Sequence, residues 1–169
     1  RTPISERSGA AIEFIEMKEF YLKQLDYKDK MKEIAKKINI YSPKSRQILL
    51  DWIESVSIDW PISRRRYYAT EVPMWKCTKC NEYVLAEKGK YVQPWKDKYE
   101  GTCKCGSTEF VGEERVFDTW FDSSISPLYI LGYERNPAFF AKHNVCSLRP
   151  QGKEIVRTWL YYTLLKDYL

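Results

Sequence analysis

Four cysteines fall into two short knuckles, Cys77-Thr78-Lys79-Cys80 and Cys103-Lys104-Cys105-Gly106. Thiolates are soft ligands, and four of them in two tight turns can close a tetrahedral shell around one Zn²⁺ ion, with the chain between them forming a hairpin-sized ribbon. A catalytic zinc would keep an open position and recruit a histidine or a carboxylate, so this set reads as structural. Disulfides are the competing pattern, but five thiols is an odd count and the N-terminus has no apolar signal core, which disfavours a secreted framework. The fifth thiol, Cys146, lies in the apolar run Val145-Cys146-Ser147-Leu148 and is expected to be buried and free. His143, the one histidine, sits between Lys142 and Asn144 and is expected at the surface.

The elements that must position such a ribbon are legible in outline. Arg1 to Glu6 and Ala11 to Ile15 flank a turn at Ser8-Gly9, which suggests a hairpin. Asp26 and Asp29 suggest a helix cap, after which Met31, Ile34, Ala35 and Ile38 recur at helical spacing as far as about Asn39. Ser42-Pro43 restarts a helix whose apolar stripe is Ile48, Leu49, Trp52, Ile53 and Val56. Ile58 to Trp75 is rich in β-branched and aromatic residues and reads as a strand followed by an extended linker. After the cysteines, Phe117 to Phe121 reads as a strand end or turn, Pro127 to Leu131 as a buried helix segment, Val145 to Leu148 as a short strand and Gly152 onward as a helix. That alternation of strand and helix predicts an α/β chain, half of a Rossmann-like fold.

Hydrophobic residues make up 44% of the 169 and aromatic residues 15%, which excludes wholesale disorder. No run approaches the roughly 18 apolar residues of a membrane span, so the reading is a cytoplasmic protein without a membrane partner. The net charge of +5 suits a phosphate-bearing partner without requiring one. The sequence opens at Arg1 and closes at Leu169 inside the apolar run Trp159 to Leu165, and both ends are expected to be internal to a longer chain.

Three segments, in order, carry a resemblance. Asp59-Trp60-Pro61-Ile62-Ser63-Arg64-Arg65-Arg66-Tyr67-Tyr68 precedes the cysteines, and Phe117-Asp118-Thr119-Trp120-Phe121-Asp122-Ser123-Ser124 follows them. The third is Leu148-Arg149-Pro150-Gln151-Gly152-Lys153-Glu154-Ile155-Val156-Arg157-Thr158-Trp159. Together they resemble the isoleucyl, valyl and leucyl group of class I aminoacyl-tRNA synthetases, and the second and third are most similar to archaeal-type valyl enzymes. The resemblance implies four regions: residues 1–57 as the exit of an editing insertion with connecting helices, 58–74 as a catalytic-fold strand and linker, 75–116 as a zinc ribbon, and 117–169 as the second half of the Rossmann-like catalytic fold.

It also implies roles. Asp118 would hold the substrate ammonium, Trp120 would wall the side-chain pocket, and Asp122 would support the ammonium or cap a helix. Gln151, Gly152 and Glu154 would meet the adenosine, although many relatives have Asp where Glu154 stands. The implied partners are valine, ATP with Mg²⁺ and tRNA(Val). Such activation needs no protein nucleophile, because the amino-acid carboxylate attacks the α-phosphate itself. The family's two phosphate-clamp motifs and its editing core are absent from these 169 residues, so this stretch alone is expected to be inactive. Two alternatives stand beside this reading: an isoleucyl enzyme, and a zinc-ribbon module that binds nucleic acid through basic and aromatic surface. The run Arg64-Arg65-Arg66 is compatible with either a nucleic-acid surface or paired charges.

Overall fold

The computed structural model describes residues 2–13, 15–66 and 70–169. Its helical core grows from the two amphipathic stripes. Helix α1 (Lys28–Lys37) buries Met31 and Ala35, and α2 (Pro43–Ser55) buries Leu49 and Ile53. Ser42 takes extended backbone at the start of α2 with Pro43 in the first position, where the missing N–H would have had no intrahelical partner. Both helices pack against the C-terminal helical run, so that Met31, Ala35, Leu49, Ile53, Val156, Tyr161 and Leu165 share one core. The expected cap of α1 does not form. A 3₁₀ turn over Leu25–Tyr27 contains Asp26 and leads straight into the helix, leaving Tyr27 at the cap position with no side-chain bond.

The strands are short. β1 (Tyr21–Leu22) pairs antiparallel with β2 (Trp60–Pro61), and β3 (Ser63–Arg64) pairs antiparallel with β7 (Val116–Phe117). Between β2 and β3, Ile62 donates its N–H to the Phe20 carbonyl and accepts from the Asp118 N–H. The strand expected from Ile58 onward is thus two fragments with different neighbours, one on each side. β4 (Met74–Cys77) is the centre of a separate antiparallel sheet with β5 (Tyr83–Leu85) and β6 (Phe110–Gly112) at its edges. At the N-terminus Ile4 bridges Ala11 around a turn in which Gly9 has φ +68°, in keeping with the expected hairpin, of which Arg1 and Phe14 lie outside the described residues.

The remainder is helical: α3 (Thr119–Ser123), α4 (Ser126–Ile130), α5 (Pro137–His143), a 3₁₀ turn at Lys153–Ile155, a π turn at Val156–Leu160 and α6 (Tyr161–Tyr168). Three expectations fail here. Segment α4 is a helix but not a buried one, since only Pro127 is covered and Tyr129 is 61% exposed. Val145 to Leu148 forms no strand, and Leu148 is 83% exposed. Cys146 is accordingly exposed rather than buried. A four-residue apolar run does not specify a strand without a neighbouring edge to pair with. Among the described residues every strand pair is antiparallel, so what the chain displays is a mixed α/β arrangement.

Leu49 is fully buried between α1 and the C-terminal run. Leu49→Ala should therefore lower unfolding stability by about 2–5 kcal/mol, read as a lower denaturant midpoint with an unchanged slope.

Candidate metal centre and substrate site

β4 delivers Cys77 at its end, and the chain then reverses through Asn81, which adopts φ +63°. The second knuckle reverses in the same manner through Gly106 at φ +82°, where a side chain would be strained. Backbone bonds close both turns: Asn81 N–H to Cys77 and Cys77 N–H to Glu82 in the first, Gly106 N–H to Cys103 and Cys103 N–H to Ser107 in the second. The result brings the four Sγ atoms of Cys77, Cys80, Cys103 and Cys105 within 4.8 Å of one another. Cys77 and Cys105 are 3.7 Å apart and Cys80 and Cys103 3.4 Å, close to the edge of about 3.8 Å that 2.3 Å metal–sulfur bonds give in a tetrahedron.

The chemistry of this donor set also fits a cation. The backbone N–H of Cys80, opposed by burial and aided by that of Lys79, draws the Cys77 thiol down to about 6. For Cys80 the Glu82 N–H favours the thiolate, but contact with Cys103, burial, Cys105 and Cys77 outweigh it and push the group up to about 12. Four thiolates at this spacing repel one another, and a divalent cation is the simplest partner that keeps them all deprotonated.

Behind the knuckles, Trp75 is buried with its indole N–H on the Asp97 carbonyl at 2.8 Å, and Tyr99 packs edge-on against Phe110. Gly112 is required at its place in β6, because a Cβ there would lie 1.7 Å from the Pro94 carbonyl oxygen. Buried Glu71, accepting from the Tyr91 hydroxyl and the Gln93 amide, ties the long excursion between the two knuckles to the segment that leads into β4.

The second site forms where β7 runs into α3. Asp118 is 7% exposed and is the N-cap of α3, its Oδ1 accepting from the Trp120 N–H at 2.9 Å. Its Oδ2 accepts from the Trp60 indole at 3.3 Å and is ion-paired with Arg64. Asp122 accepts from the Thr70 N–H at 3.3 Å and caps no helix. Trp120 lies half-buried beside them. Around this group Trp60 stacks on Tyr162 with ring centroids 3.7 Å apart, and Phe117 stacks on Phe121 at 4.3 Å. Arg64 escapes notice in the sequence because it sits in a basic run, and its acid partner lies 54 residues away. Arg65 is likewise paired, with Glu19, while Arg66 is exposed; Tyr67 and Tyr68, which end that segment, lie outside the described residues.

Of the third segment, Gln151 is the most telling. Both its amide atoms are buried without a partner among the described residues. Gly152 has ordinary φ, but a Cβ on it would lie 2.0 Å from a Glu154 carboxylate oxygen, so the close approach it permits here is by Glu154 itself. Arg149 places its guanidinium 3.8 Å from the Trp159 ring and donates to the Thr163 hydroxyl at 2.7 Å. His143 is exposed, as expected, at the end of α5. No helix among the described residues is long and apolar enough to cross a membrane.

The model of the family described as tRNA synthetases class I (I, L, M and V) matches residues 9–167. The chain belongs to this family. Among its relatives are the valine–tRNA ligases of Nanoarchaeum equitans, 51% identical over 98% of this chain, and Pyrobaculum aerophilum, 45% identical over 99%. That of Aeropyrum pernix is 43% identical over 97%. The match covers 20–22% of those proteins, so this class I synthetase chain spans about a fifth of the length of the relatives it matches.

Protein purified without chelator should carry one tetrahedral metal ion per chain by elemental analysis, and Cys80→Ser should lower that content. Chelation should speed hydrogen exchange over residues 75–111 while leaving α1, α2 and α6 protected, since a metal held by four thiolates couples to the folding of the segment that carries them. Metal content unaffected by Cys80→Ser would rule out this ligand set.

Proposed function

We propose that the chain is the part of a valine–tRNA ligase that recognises the amino acid and one side of the nucleotide and carries a structural zinc ribbon. The observation that carries this reading is similarity to valine–tRNA ligases along almost the whole chain. The parent reaction joins valine to ATP, the valine carboxylate oxygen attacking the α-phosphorus and pyrophosphate leaving, and then transfers the valyl group to tRNA(Val). Mg²⁺ accompanies ATP as substrate. Residues 117–169 are taken as belonging to the second half of a Rossmann-like catalytic fold, 75–116 as the zinc ribbon, 58–74 as catalytic-fold strand and linker, and 1–57 as the exit from an editing insertion. The parallel sheet such a fold requires would have to include residues beyond these 169. Zn²⁺ is the natural occupant of a closed four-thiolate site, and the protein is taken to work in the cytoplasm.

In this reading Asp118 contributes its remaining acceptor capacity to the substrate ammonium. A carboxylate has about four lone-pair sites, and three donors, from Trp120, Trp60 and Arg64, are already in place. One position on Oδ1 is left. Trp120 shapes the side-chain pocket, and Asp122 adds negative potential nearby. Gln151 is suited to the ribose hydroxyls because its buried amide lacks partners among the described residues and such groups gain most from a ligand that satisfies them. Glu154 and Gly152 complete the nucleotide side.

The 169-residue chain by itself should show no valine-dependent ATP–pyrophosphate exchange, because the phosphate-clamp motifs are not within it. Robust exchange would mean that the active site has been misplaced. In the full-length enzyme Asp118→Asn keeps an equally good helix cap and leaves half-exposed Arg64 to solvent. It should therefore report mainly on charge, raising KM for valine and for isoleucine by similar factors of about 10–100. Trp120→Phe should instead favour isoleucine relative to valine by up to about 10–100-fold, the range one methylene commands in an apolar pocket. Equal slowing of both amino acids by Trp120→Phe would return that residue to the core.

A further inference from the structure

Helix α3 has five residues, Thr119–Ser123, too few to be stable through its own hydrogen bonds. Its N-terminus is fixed by the Asp118 cap. Its C-terminal carbonyls are met in part locally: the Ser124 N–H donates to Trp120, the Ile125 N–H to Asp122, and the Ser124 hydroxyl to Phe121 at 2.8 Å. Two side chains of the C-terminal run add donors that tie this end of the helix to the core. Lys166 donates from Nζ to the Phe121 carbonyl at 2.7 Å and lies 3.6 Å from the centroid of the Phe121 ring. Trp159 donates its indole N–H to the Ser123 carbonyl at 3.0 Å. Both sit on backbone rooted in the core, for Tyr161 and Leu165 of the same run are fully buried. Burial draws the Lys166 amine down to about 8, with Asp122 and Asp167 acting in the opposite sense, as expected of an ammonium group held out of bulk water.

Trp159 also faces the other half of the site. Arg149, two residues before Gln151, rests its guanidinium on the Trp159 ring and donates to Thr163 one helical turn further on. The indole's edge therefore serves α3 while its face serves the segment that leads to Gln151. The two contacts meet at the π turn Val156–Leu160, a geometry found mostly as single-turn bulges, frequently at functional sites.

We infer that Lys166 and Trp159 are positioning residues for amino-acid activation, which clamp the C-terminal end of the amino-acid-binding helix α3 and fix it relative to the nucleotide-binding segment at Arg149–Glu154. The inference rests on the proposed placement of valine against Asp118 and Trp120. Neither residue touches substrate in this scheme; each acts through the orientation of α3. Losing the clamp loosens the valine side first, because the nucleotide segment keeps its Arg149–Thr163 bond.

The test is steady-state ATP–pyrophosphate exchange by the full-length enzyme, with KM measured separately for valine and ATP and with thermal melts in parallel. Lys166→Met keeps most of the apolar stem over Phe121 and removes the donor. It should raise KM for valine at least 5-fold with KM for ATP changed less than 2-fold, and Lys166→Arg should recover more than half of that loss. Trp159→Phe, which keeps an aromatic face under Arg149, should shift KM for valine in the same direction. A valine KM within 2-fold of wild type in Lys166→Met overturns the inference, as does an equal rise for both substrates that follows the loss of thermal stability and is not rescued by arginine. Should Lys166→Met not fold, Trp159→Phe decides, and an unchanged valine KM there refutes the clamp. Asp118→Asn separates this failure from that of the functional reading: if it leaves valine KM unchanged the substrate site itself is misplaced, and if it alone raises KM only the clamp is wrong.

Discussion

A carboxylate removed from water must be surrounded by donors, and the arrangement of β2, β3, β7 and the start of α3 accompanies the meeting of that requirement at Asp118. Its donors come from β2 (Trp60), β3 (Arg64) and the first turn of α3 (Trp120). Each bond has a backbone consequence. The Arg64 pairing accompanies the β3–β7 register that sets Ser63 against Phe117, while the Trp60 bond holds that indole between Phe121 and Tyr162. The amide bond to Trp120 starts α3 where β7 stops. One side chain thereby fixes a strand pair, an aromatic cluster and a helix start.

That arrangement constrains what the same carboxylate can do for a ligand. Arg64 offsets part of the negative charge at Asp118, so the proposed recognition of an ammonium there would depend on geometry and dryness as much as on charge. The pairing also keeps Asp118 oriented when no ligand is present, which reduces the ordering cost of binding. A second balance of this kind operates around Glu113 and Glu19. Burial pushes the Glu113 carboxyl up, but the guanidinium of Arg115 outweighs it and holds the group below the usual carboxylate range. Arg115 in turn reaches Glu19, and Glu19 accepts from Ser63 and Arg65. Ion pairs this close to the β3–β7 pair link the end of β6 to Glu19 and leave little of their charge free.

The sequence was most legible where a local rule acts alone. The stripes of α1 and α2 follow helical spacing, and Leu49, Ile53, Met31 and Ala35 are buried as that spacing requires. The knuckle geometry followed from cysteine spacing, because two tight turns leave thiols few other arrangements. Legibility failed where the outcome depends on distant partners. The 3₁₀ turn ahead of α1 displaced the Asp26 cap, and Val145 to Leu148 had no edge to join. The ties of Arg64 and Lys166 to α3, over 54 and 45 residues, follow no period. The occupancy of Asp118 belongs with these: its type and motif suggested an ammonium site, but that it is first a helix cap and an ion-pair partner is visible only in three dimensions.

The two sites differ in what holds them together. The cysteine-bearing unit has a small aromatic interior of Trp75, Tyr99 and Phe110, and its sheet is three strands of three or four residues. Such a unit buries too little surface to offset its chain entropy unaided, so an ion bound by four thiolates would be part of its folding free energy rather than an ornament on it. The α3 cluster has no comparable dependence, because it is anchored through Lys166 and Trp159 to the buried helical core. Metal loss and core mutation should therefore affect different parts of the chain, with the Glu19–Arg115–Glu113 network and Glu71 as the polar links between them. The three-stranded sheet is joined to the rest of the chain by these polar links together with the edge-on contact of Phe20 with Tyr83, whereas the Asp118 cluster is tied directly to the helical core.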